Sequence, residues 1–413
     1  MSKGIPHSST SDFLRGLTDS STLSTSPENF LRLEILLIDY LACSIAGISS
    51  QPGERSALSC DGAIGKSAWL ALNVNANDQD DIDWSVGTHP GSIIWSAAVA
   101  LAQSSEELRD GFITAVFAGF RTSASMATFF GPQHRSKWHI TATAGAFAAA
   151  STASVLLKLS ADEHLQALHL VGANIGGSVL APRDRSGAAG FNRAAATALG
   201  VTSAMAVQAS AAHVDNLWEG PVGVLELFDI AQDLKVGDAL PDGVSTTSLR
   251  LFPVTGFAQS AVLATANLAA RNTLVLQRLD VGVAEGTISY LDGTRGGDWW
   301  DVRSAVASAW RSKNPANLAT ANELKSMVHV SAIDIAVGGA CVIASTNKGQ
   351  DREMITSSPG RNFTDSQEQI WQATKWSRLA GEEIEEIKEI SANLIIGNNS
   401  SQVWQQLGDL FEK

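Results

Sequence analysis

The sequence predicts a mainly α-helical protein, with a large all-helical domain and a smaller α+β domain. From about residue 27 to residue 234, apolar residues recur at helical spacing and alanine is unusually frequent. Near Gly237 the composition changes, because Val, Ile and Thr become more frequent and Gly and Asp separate short runs. We therefore predict a helical domain over residues 1–240 and an α+β domain over 245–375.

The helices of the first domain follow from the spacing of apolar side chains and from end signals. Gly47 is placed to end the first long helix, and Ser160 with Glu163 forms a capping-box pattern at the start of another. The predicted helices span residues 30–46, 92–102, 106–120, 141–159, 161–171 and 193–212.

The elements of the second domain are shorter and richer in β-branched residues. Residues 248–254 and 328–342 carry strand-like composition, and 281–291 is predicted as a strand. The tail, residues 382–410, returns to an amphipathic helical pattern.

Composition and charge exclude several classes of function. The chain has 29 Lys and Arg against 42 Asp and Glu, a net charge of −13, which repels phosphate backbones and anionic membranes. The most apolar stretch, residues 140–157, is rich in Ala, Ser and Thr and indicates a buried helix. We expect a protein that binds neither nucleic acid nor membrane.

The cysteines and the first residues indicate a reducing compartment. Cys43, Cys60 and Cys341 are too few and too scattered for a disulfide framework or a zinc site. The first 26 residues lack the apolar run of a secretory signal. We expect a cytoplasmic protein.

An acidic segment, residues 75–92, is the first candidate for chemistry. Asp78, Asp80, Asp81 and Asp83 occupy four of six positions, and His89 follows before a proline. Like charges this dense repel one another on a packed helix, so a loop that presents them to a site is favoured. The alternative is a solvated acidic turn with a capping histidine.

A basic cluster is the second candidate. His134, Arg135, Lys137 and His139 lie within six positions of an otherwise acidic protein. Such cations can bind a carboxylate or change the pKa of a histidine. His139 also precedes the Ala-rich helix, which predicts a position at a helix start that faces the core. The alternative is a basic turn on the surface.

The remaining motifs give no cofactor site. The glycines of residues 172–193 form neither a dinucleotide-binding loop nor a Walker loop, so Arg183, Arg185 and Arg193 are better interpreted as anion contacts. His134 and His139 are five residues apart, and no H-E-x-x-H or G-x-S-x-G motif occurs. We predict no metal and no organic cofactor.

Five segments together carry a resemblance to a known family. The acidic segment with its His-Pro-Gly end and the Trp-His-Ile-Thr segment are the most specific of them. The sequence resembles the MmgE/PrpD family, which includes 2-methylcitrate dehydratase, cis-aconitate decarboxylase and iminodisuccinate epimerase. The segments are residues 39–47, 75–91, 138–141, 193–199 and 249–253.

The resemblance implies an architecture and a chemistry. Such relatives are homodimers with a large helical domain, completed by the C-terminal tail (here about residues 382–413), and a smaller α+β domain. Their active site lies between the domains without a metal or an organic cofactor. They abstract or deliver a proton next to a carboxylate of a small di- or tricarboxylic acid, with loss of water or CO₂, or with inversion.

The resemblance also implies site residues. Asp78, His89 and His139 match the family's first loop aspartate and its two best-placed histidines, and His329 falls where a tyrosine is common. These four are the predicted catalytic residues. Arg250 falls where relatives usually have a lysine. Substrate contacts are expected from Asp81, Arg135, Arg185, Arg250 and Thr255.

Two departures from the family pattern argue against the usual tricarboxylate substrate. Gly187 stands where a lysine is expected, and Thr255 replaces a histidine. Each lost contact to a charged substrate is worth roughly 1.5–3 kcal/mol.

The sequence therefore predicts a cofactor-independent lyase, a dehydratase or decarboxylase, that acts on a small carboxylic acid. An epimerase, isomerase or cyclase that reprotonates the same carbanion is the first alternative. A catalytically silent family member with a binding role is the second.

Overall fold

A computed structural model describes residues 8–50, 62–184, 187–211, 217–230, 240–272, 274–291 and 301–412. These residues form two compact units. The first unit takes its residues from 1–182, 187–247 and 379–413, and the second from 183–186 and 248–378. The predicted fold class, mainly α with a smaller α+β region, is confirmed.

The first unit is built from helices and a few short elements. Its helices are α1 (Ser8–Thr18), α2 (Pro27–Ser50), α3 (Ala63–Val74), α4 (Gly91–Ser104), α5 (Phe112–Lys137), α6 (Ile140–Leu156), α7 (Ala161–Gly172), α8 (Leu180–Asp184, which ends in the second unit), α9 (Ala188–Gln208), α10 (Val224–Leu227), α14 (Ile384–Ile395) and α15 (Ser401–Leu410). Strand β1 (Ile82–Asp83) lies between α3 and α4, and β2 (Thr247–Ser248) ends the unit.

The centre of this core is the Ala-rich helix α6. Every residue of α6 except Val155 is buried. Small residues let its neighbours approach closely: a Cβ on Gly200 of α9 would lie 2.5 Å from the Cβ of Ala149, and one on Gly119 of α5 would lie 2.3 Å from Thr152 Oγ1. The Ala, Gly and Ser content that predicted a buried helix therefore also sets the distance between α6 and the helices packed against it.

The ends of the helices bear out some predictions and correct others. The capping box of α7 is confirmed, because Ser160 Oγ accepts from Glu163 N at 3.3 Å and Glu163 accepts from Ser160 N at 2.8 Å. The single helix predicted over 106–120 is wrong. A short 3₁₀ helix, Glu106–Leu108, comes first, and α5 begins only after Gly111, whose φ of +84° interrupts the helix.

The second unit contains a four-stranded mixed sheet with helices. The sheet order is β4-β3-β5-β6, in which β4 runs parallel to β3 and the other pairs are antiparallel. The strands are β3 (Leu276–Ala284), β4 (Val328–Ile333), β5 (Ala340–Thr346) and β6 (Gly349–Ile355), and the helices are α11 (Gln259–Arg271), α12 (Val302–Ser312) and α13 (Ser366–Ala380, whose last two residues belong to the first unit).

The strand predictions in this unit hold only in part. The predicted strand 281–291 begins earlier, at Leu276, and ends at Ala284, where a 3₁₀ helix (Glu285–Tyr290) takes over. Of the strand-like run 248–254, only Ser248 is in a strand. In the described part of the chain, no helix is both long and apolar enough to cross a membrane.

Candidate active site

The acidic segment joins the end of α3 to the start of α4 and holds a buried ion pair. Asp80 Oδ2 accepts from Arg193 Nη1 of α9 at 2.6 Å, and Asp80 Oδ1 accepts from Asn75 Nδ2 at 2.9 Å. Both members of the pair are buried. A carboxylate held this way keeps a negative charge within the helical unit, because the guanidinium balances it.

His89 lies beside this ion pair in a defined tautomer. Its Nδ1 is 2.7 Å from the backbone carbonyl oxygen of Asp81 and 3.8 Å from Asp80 Oδ2. A carbonyl oxygen can only accept, so Nδ1 carries the proton and Nε2 is the basic nitrogen of the neutral ring. The side chain is 16% exposed. His89 thus combines a fixed tautomer, a neighbouring carboxylate and access to solvent.

Asp81 acts at the start of α4. Both of its carboxylate oxygens accept from Gly91 N, at 3.1 and 3.0 Å. A Cβ on Gly91 would lie 2.4 Å from Asp81 Oδ2, so glycine is required for this approach. A carboxylate at a helix N-terminus is favourable because it satisfies an amide and the helix dipole. These contacts give Asp81 a role in fixing the loop to α4.

Asp78 and Asp83 occupy different parts of the loop. Asp78 is half-buried, has a φ of +49°, and donates its N–H to Asn75 O at 3.1 Å. Asp83 is buried in β1, and its carboxylate accepts from Ser85 and Thr246. The carboxylates of Asp80, Asp81 and Asp83, which the sequence predicted as part of one cluster, therefore bind different groups.

His139 is the N-cap residue of α6, as predicted, and it is buried. Its backbone N–H donates to Gly177 O at 2.8 Å, and its Nδ1 lies 3.4 Å from Asn192 Nδ2 of α9. Burial, followed by the charge of Arg193, lowers the pKa of His139 to about 3. Since the amide N–H donates to Nδ1, the neutral ring carries its proton on Nε2.

The basic cluster lies on the last turn of α5 and on the residues that follow it. His134 is buried: Nδ1 donates to Phe228 O at 3.0 Å, Nε2 accepts from Thr143 Oγ1 at 2.9 Å, and burial lowers its pKa to about 4. Lys137 Nζ is 2.7 Å from Asp229 Oδ2. Arg135 Nη1 donates to Val86 O at 3.0 Å. His134, Lys137 and Arg135 therefore each bind a neighbouring segment of the fold.

The remaining predicted residues lie in the second unit or outside the described residues. Arg250 is buried, and Thr255 is buried at the start of a 3₁₀ helix, where its carbonyl accepts from Ala258 N at 3.0 Å. His329 is exposed on strand β4, in register with Asp280 of β3. A hydrogen bond from Arg278 is the main cause that lowers the pKa of the Asp280 carboxyl, and His329 contributes least. Arg185 is outside the described residues.

Two residues that the geometry brings forward, Asn192 and Tyr290, were not predicted from the sequence. Asn192 contacts His139, and its only sequence signal is its place beside Arg193. In the second unit, Arg183 Nε donates to Tyr290 Oη at 3.3 Å, and the Tyr290 ring lies 5.0 Å from that of Phe257. No motif pointed to Tyr290, which lies at the end of a segment predicted as a strand.

Within the described ranges, no group of three His, Cys, Asp or Glu side chains is arranged to hold a metal ion. The groups available for chemistry are imidazoles, carboxylates and guanidiniums. They can transfer a proton and stabilise an oxyanion.

Comparison with known proteins gives one match. Residues 67–236 match the family described as the MmgE/PrpD N-terminal domain. This range contains the whole acidic segment, His139 and Arg193. No curated protein matches the chain.

Proposed function

We propose that the chain is a member of the MmgE/PrpD family, whose N-terminal domain its residues 67–236 match. We propose further that it is a lyase that transfers a proton next to the carboxylate or carbonyl of a small acid. Dehydratase or lyase activity is what this family broadly suggests. We further propose that the enzyme needs neither a metal nor an organic cofactor, and that His89 is the base. The fixed tautomer of His89 is the observation that carries the proposal.

His89 has the features that carbon deprotonation requires of a base. The hydrogen bond from Nδ1–H to the Asp81 carbonyl, at 2.7 Å, leaves the lone pair on Nε2. Proton abstraction turns the ring into an imidazolium, and the Asp80 carboxylate, 3.8 Å from Nδ1, stabilises that cation. Before the reaction, the Arg193 guanidinium balances the Asp80 carboxylate, so the pair carries no net buried charge. The same carboxylate is then in place to stabilise the imidazolium of His89.

His139 suits a different role in the same reaction. A histidine with a pKa of about 3 remains neutral at physiological pH, and its Nε2–H can donate a hydrogen bond. A neutral donor of this kind stabilises an enolate oxygen without giving up its proton. We therefore propose His89 for proton transfer and His139 for oxyanion stabilisation.

The substrate carries less negative charge than a tricarboxylate. Gly187 offers no side chain at the start of α9, where the resemblance predicted a lysine, and Thr255 is a buried neutral residue. A mono- or dicarboxylic hydroxy acid is the class that fits this set of charges.

An isotope experiment separates the proposed lyase from its alternatives. We expect the purified protein, incubated in D₂O with a panel of 2- and 3-hydroxy mono- and dicarboxylic acids, to release water or CO₂ from one of them, as followed by NMR. Deuterium uptake without elimination would instead identify an epimerase or isomerase. A protein that neither exchanges nor eliminates any of these acids would be the silent member with a binding role.

Replacement of His89 tests its role as the base. His89→Gln should lower kcat by roughly 10²–10⁴ because it removes the basic nitrogen. His164→Gln is the matched control, since His164 is a buried histidine that bonds Ser151 Oγ at 2.9 Å and has no part in the proposed chemistry. Equal turnover in the wild type and in His89→Gln would show that His89 is not the base.

We also propose that the protein acts as a homodimer. Five large apolar side chains of the helical unit are more than half exposed and could be covered by a second copy of the chain. They are Leu180, Phe191, Val222, Leu227 and Ile396. Sedimentation at low micromolar concentration tests this, since a single species near 43.4 kDa, the mass of one chain, would exclude a dimer.

A further inference from the structure

We infer that Arg135 is a positioning residue for His89, which it holds in place through the loop formed by residues 83–88. This inference rests on the proposed function, in which His89 transfers the proton. It replaces the substrate-binding role that the sequence suggested for Arg135.

The guanidinium of Arg135 lies directly against the loop. Nη1 donates to the carbonyl oxygen of Val86 at 3.0 Å. A Cβ placed on Gly87 would lie 2.1 Å from Nη2 and 2.5 Å from Cζ, so the guanidinium occupies the space that any other residue at position 87 would need. Gly87 also has a φ of +70°, a conformation that favours glycine. Arg135 and Gly87 therefore fit each other as a pair.

The loop that Arg135 contacts is closed by a short ladder of hydrogen bonds. Gly87 N donates to Asp83 O at 2.6 Å, and Asp83 N donates to Thr88 O at 2.8 Å. The Asp83 carboxylate accepts from Ser85 N and Oγ at 2.9 and 2.6 Å, and from Thr246 Oγ1 at 2.7 Å. Arg135 supplies the contact to this loop from α5.

The loop connects the two partners of the bond that fixes the His89 tautomer. The acceptor, the Asp81 carbonyl, comes two residues before Asp83, and the donor, His89, follows Thr88 directly. His89 N also donates to Thr141 Oγ1 of α6 at 3.3 Å. Any loosening of residues 83–88 therefore changes the distance between His89 Nδ1 and its acceptor. A displacement of about 1 Å at a catalytic group can cost about 10²-fold in rate.

Two neighbouring residues of the cluster, Lys137 and the neutral His134, also bind a segment of the fold. Lys137 binds Asp229 at 2.7 Å, and His134 binds the Phe228 carbonyl at 3.0 Å. Both contacts attach the segment around residue 228 to the end of α5, and Arg135 attaches the His89 loop to the same turn. The cluster that the sequence suggested for carboxylate binding thus attaches two segments to the end of α5, the loop of residues 83–88 and the segment around residue 228.

The test compares three variants of the full chain. Arg135→Met removes the donor and the charge, and Arg135→Lys keeps the charge but loses the planar group. Lys137→Met is the matched control, because it removes a cation from the same turn without touching the His89 loop. Circular dichroism and thermal unfolding establish that each variant is folded.

The main readout is the tautomer of His89, measured from the imidazole nitrogen signals of histidine-labelled protein and assigned with His89→Asn. In the wild type, Nδ1 should carry the proton. In Arg135→Met and Arg135→Lys the fraction with the proton on Nδ1 should fall, while Lys137→Met should match the wild type. An unchanged tautomer in both Arg135 variants would overturn the inference, whether or not the protein has the proposed activity.

Kinetics supply the second readout once a substrate is turned over. Arg135→Met should lower kcat by about tenfold or more and leave KM within about twofold, because it misplaces the base and leaves the binding contacts in place. A tenfold rise in KM with kcat and tautomer unchanged would show that Arg135 binds the substrate instead. If no acid is turned over, the proposed function fails, and the tautomer measurement still decides the role of Arg135.

Discussion

At the scale of single residues, the candidate site distinguishes histidines by their surroundings. His134, His139 and His164 are buried, and burial lowers their pKa values to about 4, 3 and 4. His89 is partly exposed and lies 3.8 Å from a carboxylate. The sequence predicted catalytic roles for both His89 and His139, whereas desolvation and neighbouring charge distinguish the partly exposed His89 from the neutral, buried histidines.

Replacement of Asp80 tests its buried ion pair with Arg193. Asp80→Asn leaves the Arg193 guanidinium buried without its carboxylate, so it should lower the free energy of unfolding by roughly 3–5 kcal/mol. The double variant Asp80→Asn, Arg193→Met should recover much of this loss, since it removes the uncompensated charge. Urea unfolding followed by tryptophan fluorescence measures both. A single variant within about 0.5 kcal/mol of the wild type would contradict the assignment of a buried pair.

At the scale of elements, the helical core depends on close backbone approach. Gly200 of α9 faces α6, where a Cβ would lie 2.5 Å from both the Ala146 carbonyl oxygen and the Ala149 Cβ. These neighbours are backbone and short side chains, which cannot move aside alone. Packing at this point therefore overrides the general preference of helices for alanine over glycine.

Two glycine-to-alanine substitutions test this close approach of α9 to α6, and we expect them to change the stability in opposite directions. Gly200→Ala should destabilise the protein by about 1–3 kcal/mol because it overpacks the α6–α9 contact. Gly408→Ala in α15 should stabilise it by up to about 1 kcal/mol, since the nearest atom to the new Cβ, Gln103 Nε2, would be 3.5 Å away. Thermal unfolding of the two variants provides the comparison. Equal shifts of the same sign would refute the close approach.

At the scale of the whole molecule, the buried histidines predict acid sensitivity. Each lowered pKa means that the unfolded chain binds a proton below about pH 6.5, while the native state does so only near pH 3 or 4. Stability is therefore lost as the pH falls through this window, by up to about 1.4 kcal/mol per pH unit for each histidine. Unfolding measured between pH 7 and pH 5 should show this slope.

His164→Gln isolates one of these contributions. Glutamine can keep a hydrogen bond to Ser151 but does not titrate, so the pH dependence should lose the contribution of His164, up to about 1.4 kcal/mol per pH unit. A variant with the full wild-type slope would show that His164 is protonated equally in the native and unfolded states.

The sequence by itself determined the fold class, the resemblance to a family whose N-terminal domain residues 67–236 match, and the capping of α7. These features depend on the spacing of apolar residues, the Ala-rich composition and local end signals, all of which are read from neighbours along the chain. It also singled out His89, and it predicted the N-cap position of His139 from its place directly before a helical pattern.

Only the tertiary structure decided the partners of the site residues. Asp80 meets Arg193 across 113 positions of sequence, and Arg135 meets Val86 across 49. The sequence shows which charges exist, but a charge binds whichever group the packing of helices brings within about 3 Å. For that reason the sequence could not predict that Asp81 binds the start of α4 or that Arg135 binds Val86.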